Sequence, residues 1–185
     1  MMDVKGTAVV SIPEFIQCRY PSRMEEWLSS LSAGSRAIMS KKILASSWYP
    51  LSDAVLEPTQ KLCDLFYDGQ DKGAWEAGRF SADHGLQGVY KVFVKVATPQ
   101  FLISRAGRIF SSYYRPSRIE IDEVGVGAVI MRIVEFPEPD RLIEARIGGW
   151  VERALEICGC SNLEITTPRS MTAGEPVTEI KARWE

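Results

Sequence analysis

Arg118-Ile119-Glu120-Ile121-Asp122, then Gly125-Val126-Gly127, then Ala128 to Phe136 decides the fold. The first run alternates polar and apolar residues. Successive side chains of a strand point to opposite faces, so this alternation predicts a half-buried strand over Ser117–Glu123. The glycines make a turn, and Ala128–Phe136 returns as a second antiparallel strand. Pro137 and Pro139 then lead into a long helix. In it Leu142, Ile143, Ile147, Trp150, Val151, Ala154, Leu155 and Cys158 form a wide apolar stripe. Gly159 follows as a C-cap. Asn162–Thr167 and Pro176–Trp184 read as two closing strands.

Upstream the spacing turns helical. A short extended piece is expected at Gly6–Val10. Ser22 and Glu25 have capping-box spacing before a helix with Met24, Trp27, Leu28 and Leu31 on one face. Ser32–Ser46 reads as another helix. Ser47-Trp48-Tyr49-Pro50 reads as an extended turn, because Pro50 disfavours helix at Tyr49. A helix from Ser52 or Pro58 to Tyr67 ends at Asp68-Gly69. Ala74–Val96 reads as two helices broken near Asp83–Gly85. Thr98-Pro99 is a helix entrance, with a hydroxyl cap and a proline whose missing N–H costs nothing there. Leu102, Ala106, Ile109 and Tyr113 share one face of that helix, and Pro116 stops it. Helices come first and strands last. This order predicts an α+β fold: a helical N-terminal half packed on a small antiparallel sheet formed by the C-terminal half, with one long crossover helix. No repeat or linker divides the chain, so residues 1–185 are expected to form a single domain.

The 185 residues carry 22 basic and 24 acidic side chains, a net charge of −2, which gives no field drawing the chain to nucleic acid or an anionic membrane. No apolar run nears the ~20 residues of a membrane span. Met1–Gly6 lacks a signal-peptide core, and Cys18, Cys63, Cys158 and Cys160 do not form a secreted disulfide framework. A cytoplasmic protein is the expectation.

Chemical motifs are sparse. His84 is the one histidine; it reads as a surface or capping residue, or alternatively as a metal or haem ligand. Cys158-Gly159-Cys160 lacks the two further ligands of a metal site, so no metal is expected. Arg105, Arg108, Arg115 and Arg118, interleaved with Phe110, Tyr113 and Tyr114, form either a solvated face or a clamp for a carboxylate or phosphate. No phosphate loop, nucleophile elbow or zincin motif is present. Asp83 with His84, and Glu120 with Asp122, are acid–base pairs only along the chain. An enzyme is not expected.

The order of short motifs resembles a known group. Val4-Lys5-Gly6-Thr7 and Ala97-Thr98-Pro99 resemble segments of haem nitric-oxide/oxygen-binding domains. Gly149-Trp150 through Gly159, Leu163-Glu164-Ile165, Gly174-Glu175-Pro176 and Lys181-Ala182-Arg183-Trp184 are similar to the 4-vinyl-reductase domain. The resemblance extends to Bet3-like tethering subunits. It implies a helical half on a small sheet that binds haem, small ligands, acyl chains or partner subunits. The proximal histidine of the haem domains would fall near Gln87, with His84 about a turn away. Their Tyr-x-Ser-x-Arg motif is replaced by Tyr114-Arg115-Pro116-Ser117-Arg118. No cofactor is therefore expected, with a haem-based gas sensor kept as an alternative.

The expectation is a non-catalytic sensor or carrier with an apolar pocket for a small hydrophobic or acidic ligand. Phe93, Phe101, Ile109, Phe110 and Tyr113 would line it, with Arg105 or Arg108 at its mouth pairing an acidic head group. The alternative is an interaction module: a homodimer formed through the Leu142–Cys158 helix or the tryptophan-bearing N-terminal helix, with Trp27, Trp48 and Trp75 as anchors.

Overall fold

The computed structural model describes residues 1–87 and 98–185. The chain opens with a three-residue strand, β1 (Asp3–Lys5), and turns directly into α1 (Gly6–Val9) and α2 (Ser11–Arg19). The extended piece expected at Gly6–Val10 is therefore helical. Ala8, Val9, Ile12, Phe15 and Ile16 are all buried, and packing at helical spacing overrides the strand preference of the paired valines. Pro21–Arg23 form a single 3-10 turn into α3 (Met24–Ser30), so Ser22 does not cap that helix. α4 (Ala33–Met39) is capped by Ser32, whose hydroxyl accepts from the Ser35 N–H, and it ends well short of Ser46. After strand β2 (Trp48–Pro50), a π-helical turn over Ser52–Leu56 runs into α5 (Glu57–Phe66).

α6 (Lys72–Gln87) continues unbroken through Asp83–Gly85, where a break was expected. Gly85 leaves space there: a Cβ would lie 2.7 Å from the Tyr113 hydroxyl. The remainder of the second helix expected before Val96 lies outside the described residues. α7 (Pro99–Tyr113) begins at Thr98, whose hydroxyl accepts from the Phe101 N–H. β3 (Tyr114–Arg115) follows at once, and then the hairpin β4 (Arg118–Gly125) and β5 (Ala128–Glu135). Gly125 and Gly127 turn it with φ of +124° and +77°. Asp140 caps α8 (Arg141–Ile157) through the Leu142 N–H, and Gly159 closes that helix at φ +91°. β6 (Glu164–Arg169) and β7 (Thr178–Arg183) complete the chain.

The strands make an antiparallel sheet ordered β4-β5-β7-β6, as the hairpin and closing strands require. A second sheet, β2-β1-β3, ties the N-terminus to the end of α7 and was not anticipated. The architecture is α+β, with helices packed on the larger sheet.

α6 and α8 cross closely, and glycine makes this geometry accessible. A Cβ on Gly78 would stand 2.1 Å from the Arg146 carbonyl oxygen, and one on Gly149 would stand 2.1 Å from the Trp75 carbonyl oxygen. Gly148 leaves room for the Trp75 ring, 2.4 Å from where its Cβ would be. Backbones that meet this way transmit little play to the side chains beside them. The rim of the crossing is polar. Arg79 bonds both Glu152 and Glu156, Arg153 bonds Asp83 and Glu156 at 2.8 Å, and the Trp75 indole donates to Glu152 at 2.9 Å.

Some of the residues named as dimer anchors lie inside the fold, whereas Trp48 and Trp75 are partly buried. Trp27 is fully buried and donates to the Pro58 carbonyl at 3.1 Å. Leu142, Ile143, Ile147, Ala154 and Leu155 of α8 are core residues. Trp48 lies under two cations, with Lys5 4.6 Å and Arg115 4.1 Å from its ring centroid.

Two outcomes follow from the α6–α8 crossing. Gly149→Ala or Gly78→Ala drives a methyl into facing backbone and is expected to cost ~1–3 kcal/mol in urea denaturation. Gly107→Ala, with nothing within 4 Å of its Cβ, is expected to gain ~0.5–1 kcal/mol as a helix-interior control. A wild-type midpoint for Gly149→Ala would show that the helices do not approach this closely. The second outcome concerns pH. Burial pushes the Glu156 carboxyl up, but hydrogen bonds from Arg79 and Arg153 outweigh it and leave the folded value below the ordinary 4.5. The resulting stability is fully present above 4.5 and is lost as pH falls through the lower folded value. Glu156→Gln should flatten this acid limb when melting is followed from pH 7 to pH 3.

Candidate ligand-binding site

A cavity of about 90 Å³ lies between the helices and the four-stranded sheet. Its floor follows from the alternation in the hairpin. Ile119 and Ile121 of β4 and Val129 and Met131 of β5 point inward, while Glu120 and Asp122 face out and pair with Arg118 and Arg132. One wall is the inner face of α7, where Leu102, Ala106, Ile109 and Tyr113 recur at helical spacing beside Ile103 and Phe110. The opposite wall is α8, from Arg146 and Ile147 to Ala154 and Leu155. Ala8, Gly78, Ser81 and Tyr114 complete the described lining. Phe110, Tyr114 and Phe136 pack ring against ring at 5.3–6.3 Å and hold that side in place.

Of the residues expected to line a pocket, the structure brings Ile109, Phe110 and Tyr113 to this cavity. Phe101, Arg105 and Arg108 are on the exposed outer face of α7, with the Arg105 guanidinium 4.9 Å from the Phe101 ring centroid. They are not part of the described lining, because a helix that presents Leu102, Ala106 and Ile109 inward must turn positions 101, 105 and 108 outward. Arg115 bonds Asp3 at 3.0 Å. The four arginines therefore do not converge. Phe93 lies outside the described residues.

His84 stands half-exposed on α6, its Nε2 2.6 Å from Glu14, and is not among the residues that line the cavity. Asp83 is engaged with Arg153. Cys158 and Cys160 are free thiols; burial pushes both up, Cys160 to about 11. Among the described residues no cluster of three or more His, Cys, Asp or Glu could hold a metal ion.

The polar group that distinguishes the cavity is Arg146, which is only 3% exposed. Among the described residues its Nε and Nη1 have no hydrogen-bond partner, and neither has the indole Nε1 of Trp150 one turn further along α8. Burial pulls the Arg146 pKa below its ordinary value, opposed by the neighbouring Tyr114. Burial also raises the Tyr114 phenol, which therefore stays a neutral hydroxyl. The chain carried a signal of this site. Arg146 comes four residues after Leu142 and four before Trp150, squarely on the apolar stripe, where an arginine is almost never buried without a partner.

No family model and no curated protein matches the chain. Solved structures do match in fold. An H-NOX protein from S. oneidensis in the Fe(II)NO ligation state is 13% identical, with 98% of this chain and 99% of that chain covered and a TM-score of 0.76. The Fe(II) unliganded H-NOX protein from K. algicida is 8% identical, with 98% and 96% covered and a TM-score of 0.70. A structure probing haem distortion in the H-NOX family is 14% identical, with 98% and 94% covered and a TM-score of 0.69.

The expectation that no cofactor is involved is corrected by these matches: the neighbours that share the fold are described by iron ligation state and by haem. The described residues suit parts of such a group. The walls are apolar, Arg146 and Trp150 carry buried donors with no partner among the described residues, and Met131 is of a type that ligates haem iron. At 13% identity or thereabouts the likeness concerns architecture: with 98% of its length covered, the chain has the fold of H-NOX proteins.

Proposed function

We propose that the chain is a ligand-binding domain of the sensor or carrier kind, with residues 1–185 acting as one unit, which holds an apolar small molecule in the cavity between α7, α8 and the sheet and does no chemistry on it. The observation that carries this reading is the cavity itself: an apolar hollow in the interior of an H-NOX fold, where close packing is the rule for protein cores. Its volume is below the ~150 Å³ of an engineered void that takes benzene, so a guest of more than a few heavy atoms has to widen it. The acidic residues nearest to forming a reactive pair, Asp83, Glu120 and Asp122, are each engaged with an arginine on the surface, which favours binding over catalysis.

Haem is one guest to which the fold directs attention. The isoleucines and Met131 would face its ring, and Arg146 with Trp150 would meet its carboxylates. When bound, haem supplies an iron that can take up a diatomic gas. A smaller apolar molecule would use the same walls.

Native mass spectrometry of the purified chain, compared with its denatured mass, tests the reading. A non-covalent guest is expected in the native spectrum, or a rise in melting temperature with haem, hexanoate, benzoate or hexanamide. Ala106→Trp, which fills the hollow from α7, should abolish either effect while leaving the far-ultraviolet circular dichroism unchanged. An empty native spectrum from two expression hosts, with no melting shift from any of the four compounds, would overturn it.

A further inference from the structure

Resting on the cavity reading above, we propose that Arg146, together with the indole N–H of Trp150, binds the carboxylate of an apolar acid inside the cavity. The two residues are four apart on α8 and so share one face, and both line the hollow. Each carries a buried N–H with no partner, and all three such atoms are donors. Buried polar groups in folded proteins are almost always paired, so three unpaired donors on two residues that line one void are an anomaly that an anionic guest would remove. An unpaired buried charge is also costly, and loss of the counter-charge from a buried pair is among the largest single destabilisations known.

Among the described residues no counter-charge stands at this place. The described lining contains neither aspartate nor glutamate. The titratable groups whose charge reaches the guanidinium are Tyr114 and Cys63, and burial pushes both up, Cys63 to about 11, so neither is an anion at neutral pH. A carboxylate fits what remains: it accepts N–H groups from a guanidinium and an indole together, and its apolar body then lies against Ile121, Val129 and Ile109. The acidic group comes either from a small free acid or from the edge of haem, and the chemistry at Arg146 is the same.

Isothermal titration and melting shifts with matched pairs test the assignment: hexanoate against hexanamide, benzoate against benzamide, and haem against its dimethyl ester. The acid of at least one pair should bind roughly 10- to 100-fold more tightly than its neutral counterpart, the usual weight of a charge-assisted hydrogen bond. Which pair shows the preference identifies the source of the carboxylate. Arg146→Met keeps length and apolar volume; it should erase the preference by weakening the acid and not the neutral compound. With no ligand it should melt at or above wild type, because it removes a buried charge that has no partner. Arg146→Lys, which keeps the charge but not the planar fork, should retain part of the preference. Acids and neutral compounds binding equally, with Arg146→Met altering neither, would overturn the anchor while leaving the cavity reading intact. Binding of no compound in any pair would instead refute the cavity reading.

Discussion

Where α6 and α8 meet, Gly78 and Gly149 let two helical backbones approach until the carbonyl oxygen of one fills the place of a Cβ on the other, and Gly148 makes room for the Trp75 ring. The rest of the arrangement depends on this contact. With α8 held against α6 by its glycines, the face that carries Ile147, Val151 and Leu155 is turned toward the sheet. The next positions round, Arg146 and Trp150, are carried to the edge of the hollow. A side chain at Gly78 would push away the peptide group of Arg146 itself. The crossing and the chemistry beside it are therefore one structural decision, taken by residues that have no side chains to offer.

The ionic rim around the crossing does different work. Arg79, Arg153, Glu152 and Glu156 are partly exposed, and ion pairs of that kind add little stability singly. Their linkage into a network across two helices fixes which residues face each other along the helix axes. Register on the outside thus accompanies close approach on the inside. The hollow survives because both helices are held by contacts other than those that would fill it.

Much of this was legible in the residues. The hairpin, its glycine turn, the Thr98-Pro99 entrance and the apolar stripe of α8 are local signals, written in spacing of two or of three and four, and each forms where it should. The sheet β2-β1-β3 was not legible, because strands of two and three residues far apart in sequence carry no periodicity of their own. The continuity of α6 was obscured by Asp83-His84-Gly85, which looks like a break; tertiary packing against α8 overrides the low helix propensity of that glycine. The cavity lining was half legible. Ile109, Phe110 and Tyr113 followed from the inner face of α7, whereas the arginines of that helix drew attention to its outer face. Arg146 was passed over because a single charge inside a long apolar stripe reads as an interruption, and only three-dimensional placement shows that it has no partner.

The walls of the hollow come from Ala8 near the start of the chain, Gly78 and Ser81 in its middle, and α7, the hairpin and α8 in its second half. No contiguous fragment contains them all. A guest in this space would bridge segments that are independent in the unfolded chain, so its binding free energy would enter the folding equilibrium of the entire polypeptide. Binding of the proposed guest would thereby couple occupancy to global stability, and the empty form would be the less stable one.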